Sequence, residues 1–129
     1  MPNTLHGRRI LVVEDDALLA LGYDQILKDA GAEVVGPVAT VDEATTLAIA
    51  NGIAVALLDI RLGDDEVWPV ARLLAGKGVP FVFCTGHFDP ATLPAEWSER
   101  PVLTKPTRPK QVIAALAEVV AVARGERGA

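Results

Sequence analysis

The run Ala54-Val55-Ala56-Leu57-Leu58 carries no polar residue at alternate positions. Extended, it must be covered on both faces, and a strand covered on both faces needs a layer on each side. The flanking sequence supplies those layers as helices. Arg9 to Val13 is a strand, and Leu19, Tyr23, Ile26, Leu27 and Ala30 then follow at helical spacing up to Gly31, a natural helix stop. Glu33 to Val38 is a second strand. Thr40-Val41-Asp42-Glu43 has the form of a capping box and opens a helix through Ala50, which Asn51-Gly52 ends. Ala54 to Leu58 is strand three, and Glu66 to Ala75 a helix with Val67, Val70, Ala71 and Leu74 on one face. Val79 to Cys84 is strand four. Between Asp89 and Trp97, Pro90 and Pro94 permit at most a short helix. Pro101 to Leu103 is strand five, and Pro109 starts a last helix striped by Val112, Ile113, Leu116, Val119, Val120 and Ala123.

Five β-α units of this spacing imply an α/β fold: a doubly wound five-stranded parallel sheet, helices on both faces, right-handed crossovers. Its length of 129 residues fits one domain, residues 1–129, with a core over about 8–124 and a frayed tail at 125–129. A net charge of -5 with scattered basic residues argues against a nucleic-acid surface. Cys84 is the only cysteine and lies in an apolar run, which excludes a disulfide framework and Cys-type zinc sites. No apolar run approaches the ~18 residues of a membrane span, and Arg8-Arg9 leads into too short an apolar run for a signal segment. The chain reads as cytoplasmic.

In open sheets of this kind ligands bind beyond the carboxyl ends of the strands. Those ends carry Glu14-Asp15-Asp16, Asp59, Thr85-Gly86 and Lys105-Pro106. Two close carboxylates repel by roughly 4 kcal/mol at an effective dielectric near 20, so gathering three acids calls for a cation. Oxygen donors without His or Cys favour Mg²⁺, and a lysine and a hydroxyl beside such an ion suit a phosphoryl group. Asp16 is better explained as the N-cap of the first helix.

The ordered set Glu14-Asp15, Asp59, Thr85, Lys105-Pro106 resembles the receiver domain of two-component response regulators, over Arg9 to about Ala123. The resemblance implies a flavodoxin-like (βα)5 sheet of strand order 2-1-3-4-5. It implies that Asp59 is the phosphoacceptor and takes its phosphoryl group from a histidine kinase, directly or through a histidine phosphotransfer protein. Asp15 and Asp59 would ligate Mg²⁺, Glu14 would do so through water, and the backbone carbonyl of Arg61 would complete the set. Lys105 would pair with the phosphoryl oxygens and the Thr85 hydroxyl would move to bond them. The Lys105–Pro106 peptide would be cis. Arg61 and His87 would flank the water that attacks the acyl phosphate. Such a domain is a signalling phosphoacceptor rather than an enzyme, acts through protein contacts, and often pairs as a homodimer through its fourth and fifth units.

Phe81-Val82-Phe83-Cys84-Thr85-Gly86-His87 is similar to the strand-four motif of the subgroup nicknamed FAT GUY. Three residues before the lysine, many receivers carry an aromatic whose rotation reports phosphorylation; here that position is Val102. An outward signal must then pass through Thr85 to Trp97, where His87, Phe88 and Trp97 are the large groups, or through the last helix. Two other readings compete. The fold could serve as an interaction module independent of phosphorylation, for which Val102 is the support. A haloacid-dehalogenase-type phosphatase would need a second aspartate two residues after the nucleophile, where this chain has Arg61.

Overall fold

A computed structural model describes residues 5–50, 52–86 and 90–125 of the chain. Among the described residues, seven strands and four α-helices follow in the order β1 (Arg9–Val13), α1 (Ala17–Asp29), β2 (Glu33–Val38), α2 (Val41–Ile49), β3 (Ile53–Asp59), β4 (Arg61–Leu62), β5 (Asp65–Glu66), α3 (Trp68–Gly76), β6 (Phe81–Thr85), β7 (Val102–Thr104) and α4 (Pro109–Ala123). Five strands form one sheet in the order β2-β1-β3-β6-β7, every neighbouring pair parallel. This is the expected 2-1-3-4-5 order, with β6 and β7 as the fourth and fifth strands.

The unbroken apolar strands are explained by two cores, one on each side of the sheet. Leu11, Val13, Ala56, Leu58, Phe81 and Phe83 point toward α2 and α3. Ile10, Val12, Val55, Leu57, Val82 and Cys84 point toward Tyr23 and Leu27 of α1 and Val112, Leu116 and Val120 of α4. Alternation along each strand sends successive side chains to opposite cores. Each fully buried aliphatic or aromatic side chain contributes about 1.5–3 kcal/mol relative to exposure.

Helix boundaries follow the local chemistry. Asp16 caps α1, its Oδ1 accepting the N–H groups of Leu18 (3.0 Å) and Leu19 (3.1 Å). Thr40 Oγ1 accepts the Glu43 N–H at 3.1 Å, while Glu43 Oε1 reaches back to the Ala39 N–H at 3.2 Å. The far end of α2 is held from another element: Lys77 Nζ donates to the carbonyls of Ala48, Ile49 and Ala50 at 2.8, 3.0 and 3.1 Å. An ammonium there satisfies orphan carbonyls and opposes the negative end of the helix.

One expected helix start needs correction, and two other regions hold to expectation with added detail. The fourth unit has no α-helix among its described residues, only 3₁₀ turns at Pro90–Thr92 and Ala95–Trp97. Each proline removes a backbone donor, and Pro94 at ψ 139 holds the chain extended between the turns. The third helix starts at Trp68 rather than Glu66, because Arg61–Leu62 and Asp65–Glu66 pair as an antiparallel hairpin. Leu62 is buried in the core beside α3 and pins that hairpin. Finally, β2 is interrupted: its register against β1 shifts between Leu11 and Val13, opposite the cis Gly36–Pro37 peptide. Gly36 has φ +92, and a Cβ there would lie 2.9 Å from the Val38 nitrogen and 3.1 Å from the Val12 oxygen, so only glycine fits. Most of the expected tail, residues 126–129, lies outside the described residues.

Candidate functional site

The carboxyl ends of β1, β3, β6 and β7 converge on one rim of the sheet. Glu14 and Asp15 leave β1, Asp59 ends β3, Thr85 ends β6, and Lys105 follows β7. Glu14, Asp59 and Thr85 are 3, 5 and 3% exposed, Asp15 is exposed and Lys105 is half-buried. The backbone fixes these positions. The Glu14 N–H donates to the Val38 carbonyl at 2.9 Å, extending the β1–β2 pairing beyond the bulge, and the Lys105 N–H donates to the Thr85 carbonyl at 2.8 Å. The Lys105–Pro106 peptide is cis.

Lys105 draws the buried acids together. Its Nζ lies 2.7 Å from Glu14 Oε1 and 3.0 Å from Asp59 Oδ2. Glu14 Oε2 accepts the Asp16 N–H at 3.1 Å. Asp15 Oδ2 accepts the Gly63 N–H at 2.9 Å, and Asp59 Oδ1 accepts a longer bond from the Arg61 N–H at 3.3 Å. Burial, with the adjoining Asp59 carboxyl, pushes the Glu14 carboxyl from 4.5 up to about 7 against the lowering effect of Lys105. For Lys105, burial works downward, but the Glu14 and Asp59 carboxylates outweigh it and raise the ammonium's pKa.

The donor set fits a hard divalent cation. Glu14, Asp15 and Asp59 each offer an oxygen, and the three oxygens lie within 4.8 Å of one another. No His or Cys belongs to that group, so its chemistry is that of oxygen-seeking ions such as Mg²⁺. One ammonium faces three carboxylates, which leaves negative charge for an ion to neutralise.

Sequence reasoning named Glu14, Asp15, Asp59, Thr85 and Lys105, and all five lie on this rim. Arg61 begins β4 with its side chain exposed. His87 and Phe88 lie outside the described residues. Two contributors were missed. The bulge at Gly36-Pro37 brings the Val38 carbonyl to Glu14, a feature the Gly-Pro pair hints at. The Gly63 N–H binds Asp15, and Gly63-Asp64 between Leu62 and Asp65 is a hairpin-turn signal.

On the opposite face, Tyr23 Oη and Cys84 Sγ are 3.2 Å apart, and burial raises the pKa of both groups. Cys84 is a buried core residue, as its apolar run implies. No helix among the described residues is long and apolar enough to cross a membrane.

No protein-family model and no curated protein matches the chain. Solved structures do. SdrG from Sphingomonas melonis Fr1 is 37% identical, with a TM-score of 0.77 over 88% of this chain and 97% of its own. A response regulator receiver protein from Sinorhizobium medicae WSM419 is 26% identical, with a TM-score of 0.78 over 92% of this chain and 98% of its own. The non-phosphorylated HemR receiver domain from Leptospira biflexa is 27% identical, with a TM-score of 0.76 over 88% and 94%. In strand order, in fold and in sequence over nearly its whole length, the chain is similar to response regulator receiver domains.

Proposed function

We propose that the chain is a receiver domain that works in a two-component system. In this reading Asp59 accepts a phosphoryl group from the phosphohistidine of a histidine kinase, or of a histidine phosphotransfer protein, and the phosphorylated domain acts on other proteins as relay, sink or switch. The observation that carries the reading is the setting of Asp59: a carboxylate 5% exposed, 3.0 Å from the Lys105 ammonium and grouped with Glu14 and Asp15.

The chemistry follows from that setting. An Asp59 carboxylate oxygen attacks phosphorus in line, a new O–P bond forms, and the P–N bond to the donor imidazole breaks. The bonding pair returns to the imidazole nitrogen, and the product at Asp59 is an acyl phosphate. β3 is buried on both faces and holds the nucleophile in place, so little orientation is left to chance. Lys105, 3.0 Å from Asp59, pairs with the incoming oxygens, and the Thr85 hydroxyl bonds them once transferred. Glu14, Asp15 and Asp59, with the Arg61 carbonyl, would hold Mg²⁺, which when bound supplies positive charge to the phosphoryl oxygens.

A second reading, an interaction module independent of phosphorylation, draws on Val102 at the position where receivers often carry an aromatic. Intact mass after incubation with acetyl phosphate and Mg²⁺ separates the two. One added phosphoryl group, lost in Asp59→Asn, supports the phosphoacceptor; an unchanged mass, with the protein folded, supports the module. Membership of the FAT GUY subgroup, a cytoplasmic location and homodimerisation belong to the same proposal.

A further inference from the structure

The segment between Asp59 and α3 is built more firmly than a loop that only connects a strand to a helix. β4 and β5 pair Arg61 with Glu66 and Leu62 with Asp65. Gly63 holds the first central position of the turn at φ +64, a left-handed backbone value that favours glycine there. The hairpin is fastened at three points. Leu62 is 4% exposed in the core, the Val67 N–H donates to the Ile60 carbonyl at 2.9 Å across the base, and at the tip the Gly63 N–H donates to Asp15 Oδ2 at 2.9 Å. The same hairpin places the Arg61 N–H 3.3 Å from Asp59 Oδ1.

Asp15 is the exposed member of the acid cluster and starts from another strand. Its described side-chain contact is with this hairpin. Unheld, an exposed carboxylate samples several rotamers, and few of them bring an oxygen within 4.8 Å of Glu14 and Asp59. A charge-assisted bond from a fixed backbone amide removes that freedom. We propose that Gly63 is a positioning residue: its backbone N–H, set by the β4–β5 hairpin, orients Asp15 for the cation of the phosphoacceptor site. The inference rests on the metal reading given above and adds to it a part for the hairpin.

The position allows a selective test. A Cβ on Gly63 would meet nothing within 4 Å, so a substitution there acts through φ rather than through a clash. Asn tolerates positive φ, whereas a β-branched residue does not. Mg²⁺ titrations of the full chain, followed through backbone amide shifts, should give Gly63→Asn an affinity close to the parent's. Gly63→Val should bind about tenfold more weakly, the size of effect usual for a group that orients a metal ligand. In an Asp15→Ala background, Gly63→Val should cause no further loss. Equal affinities for the parent and Gly63→Val, or a full further loss without Asp15, would overturn the proposal. Amide exchange needs no substitution in the hairpin: Gly63 exchange should speed up about tenfold in Asp15→Ala, and an unchanged rate would likewise overturn it. A parent protein that takes up no Mg²⁺ at millimolar concentration, while Gly63 exchange still responds to Asp15, would sink the metal reading and leave the contact intact.

Discussion

At the scale of single residues, the site balances three acids against one base, and Glu14 is the group most out of its ordinary range. Its pKa near 7 in the folded chain lies above its ordinary 4.5, so the folded state holds an extra proton between those values. The stabilisation from protonated Glu14 is therefore complete below about pH 4.5 and is lost as pH rises through about 7. Urea midpoints measured without metal should fall across that window in the parent and fall less in Glu14→Gln. Parallel profiles would contradict this origin of the shift. Arg61 offers a kinetic test. Its exposed side chain lies two residues beyond Asp59, and Arg61→Ala should alter the lifetime of the phosphorylated form by a few-fold or more. Identical decay rates would refute a role at the attacking water. Glu14, Asp59 and Thr85 were legible in the sequence because each ends an apolar run, where a charged or polar group needs a reason, and Asp15 and Lys105 follow such runs closely. The Gly63 and Val38 contacts were not, since backbone groups leave no mark on residue identity.

At the scale of elements, the departures from expectation come from glycine and proline. Periodicity located β1, α1, β2, α2 and α4 within a residue or two of their ends, because their apolar positions face one core or two. It could not show that Gly63-Asp64 turns the chain back into a hairpin, since Glu66 and Val67 also suit the start of a helix. Between β6 and β7, Trp97 is 4% exposed and packs edge-on against Phe81 at 5.5 Å and Phe83 at 6.4 Å, with the Arg100 guanidinium 4.4 Å from the Phe81 ring. Phe81, Phe83 and Thr85 occupy alternate positions of β6, so a shift at Thr85 has a packed route to Trp97. In a Trp68→Phe background, the remaining Trp97 emission should change when Mg²⁺ and beryllofluoride are added. Constant emission, with unchanged amide shifts from Thr85 to Trp97, would remove this segment from the signal path. The Lys77 cap on α2 is a matter of stability alone: Lys77→Met should cost about 1 kcal/mol in denaturant unfolding, without effect on the acidic rim.

At the scale of the whole molecule, the sheet separates two tasks. Its interior strands hold two apolar cores apart, and its carboxyl rim collects the groups that two cores could not tolerate. The parallel order β2-β1-β3-β6-β7 makes that collection possible, since it sets the ends of β1 and β3 side by side and brings β7 across from β6. β3, with the longest unbroken apolar run, lies at the centre of that order. The central claim concerns one atom group in this arrangement, the Asp59 carboxylate as the acceptor. It is tested most directly by reducing the acetyl-phosphate-treated protein with borohydride and mapping the peptides, because an acyl phosphate is reduced to an alcohol where a free carboxylate is not. The expected result is reduction at position 59 alone, dependent on Mg²⁺; reduction at another acid, or at none while the added phosphoryl mass persists, would contradict the account.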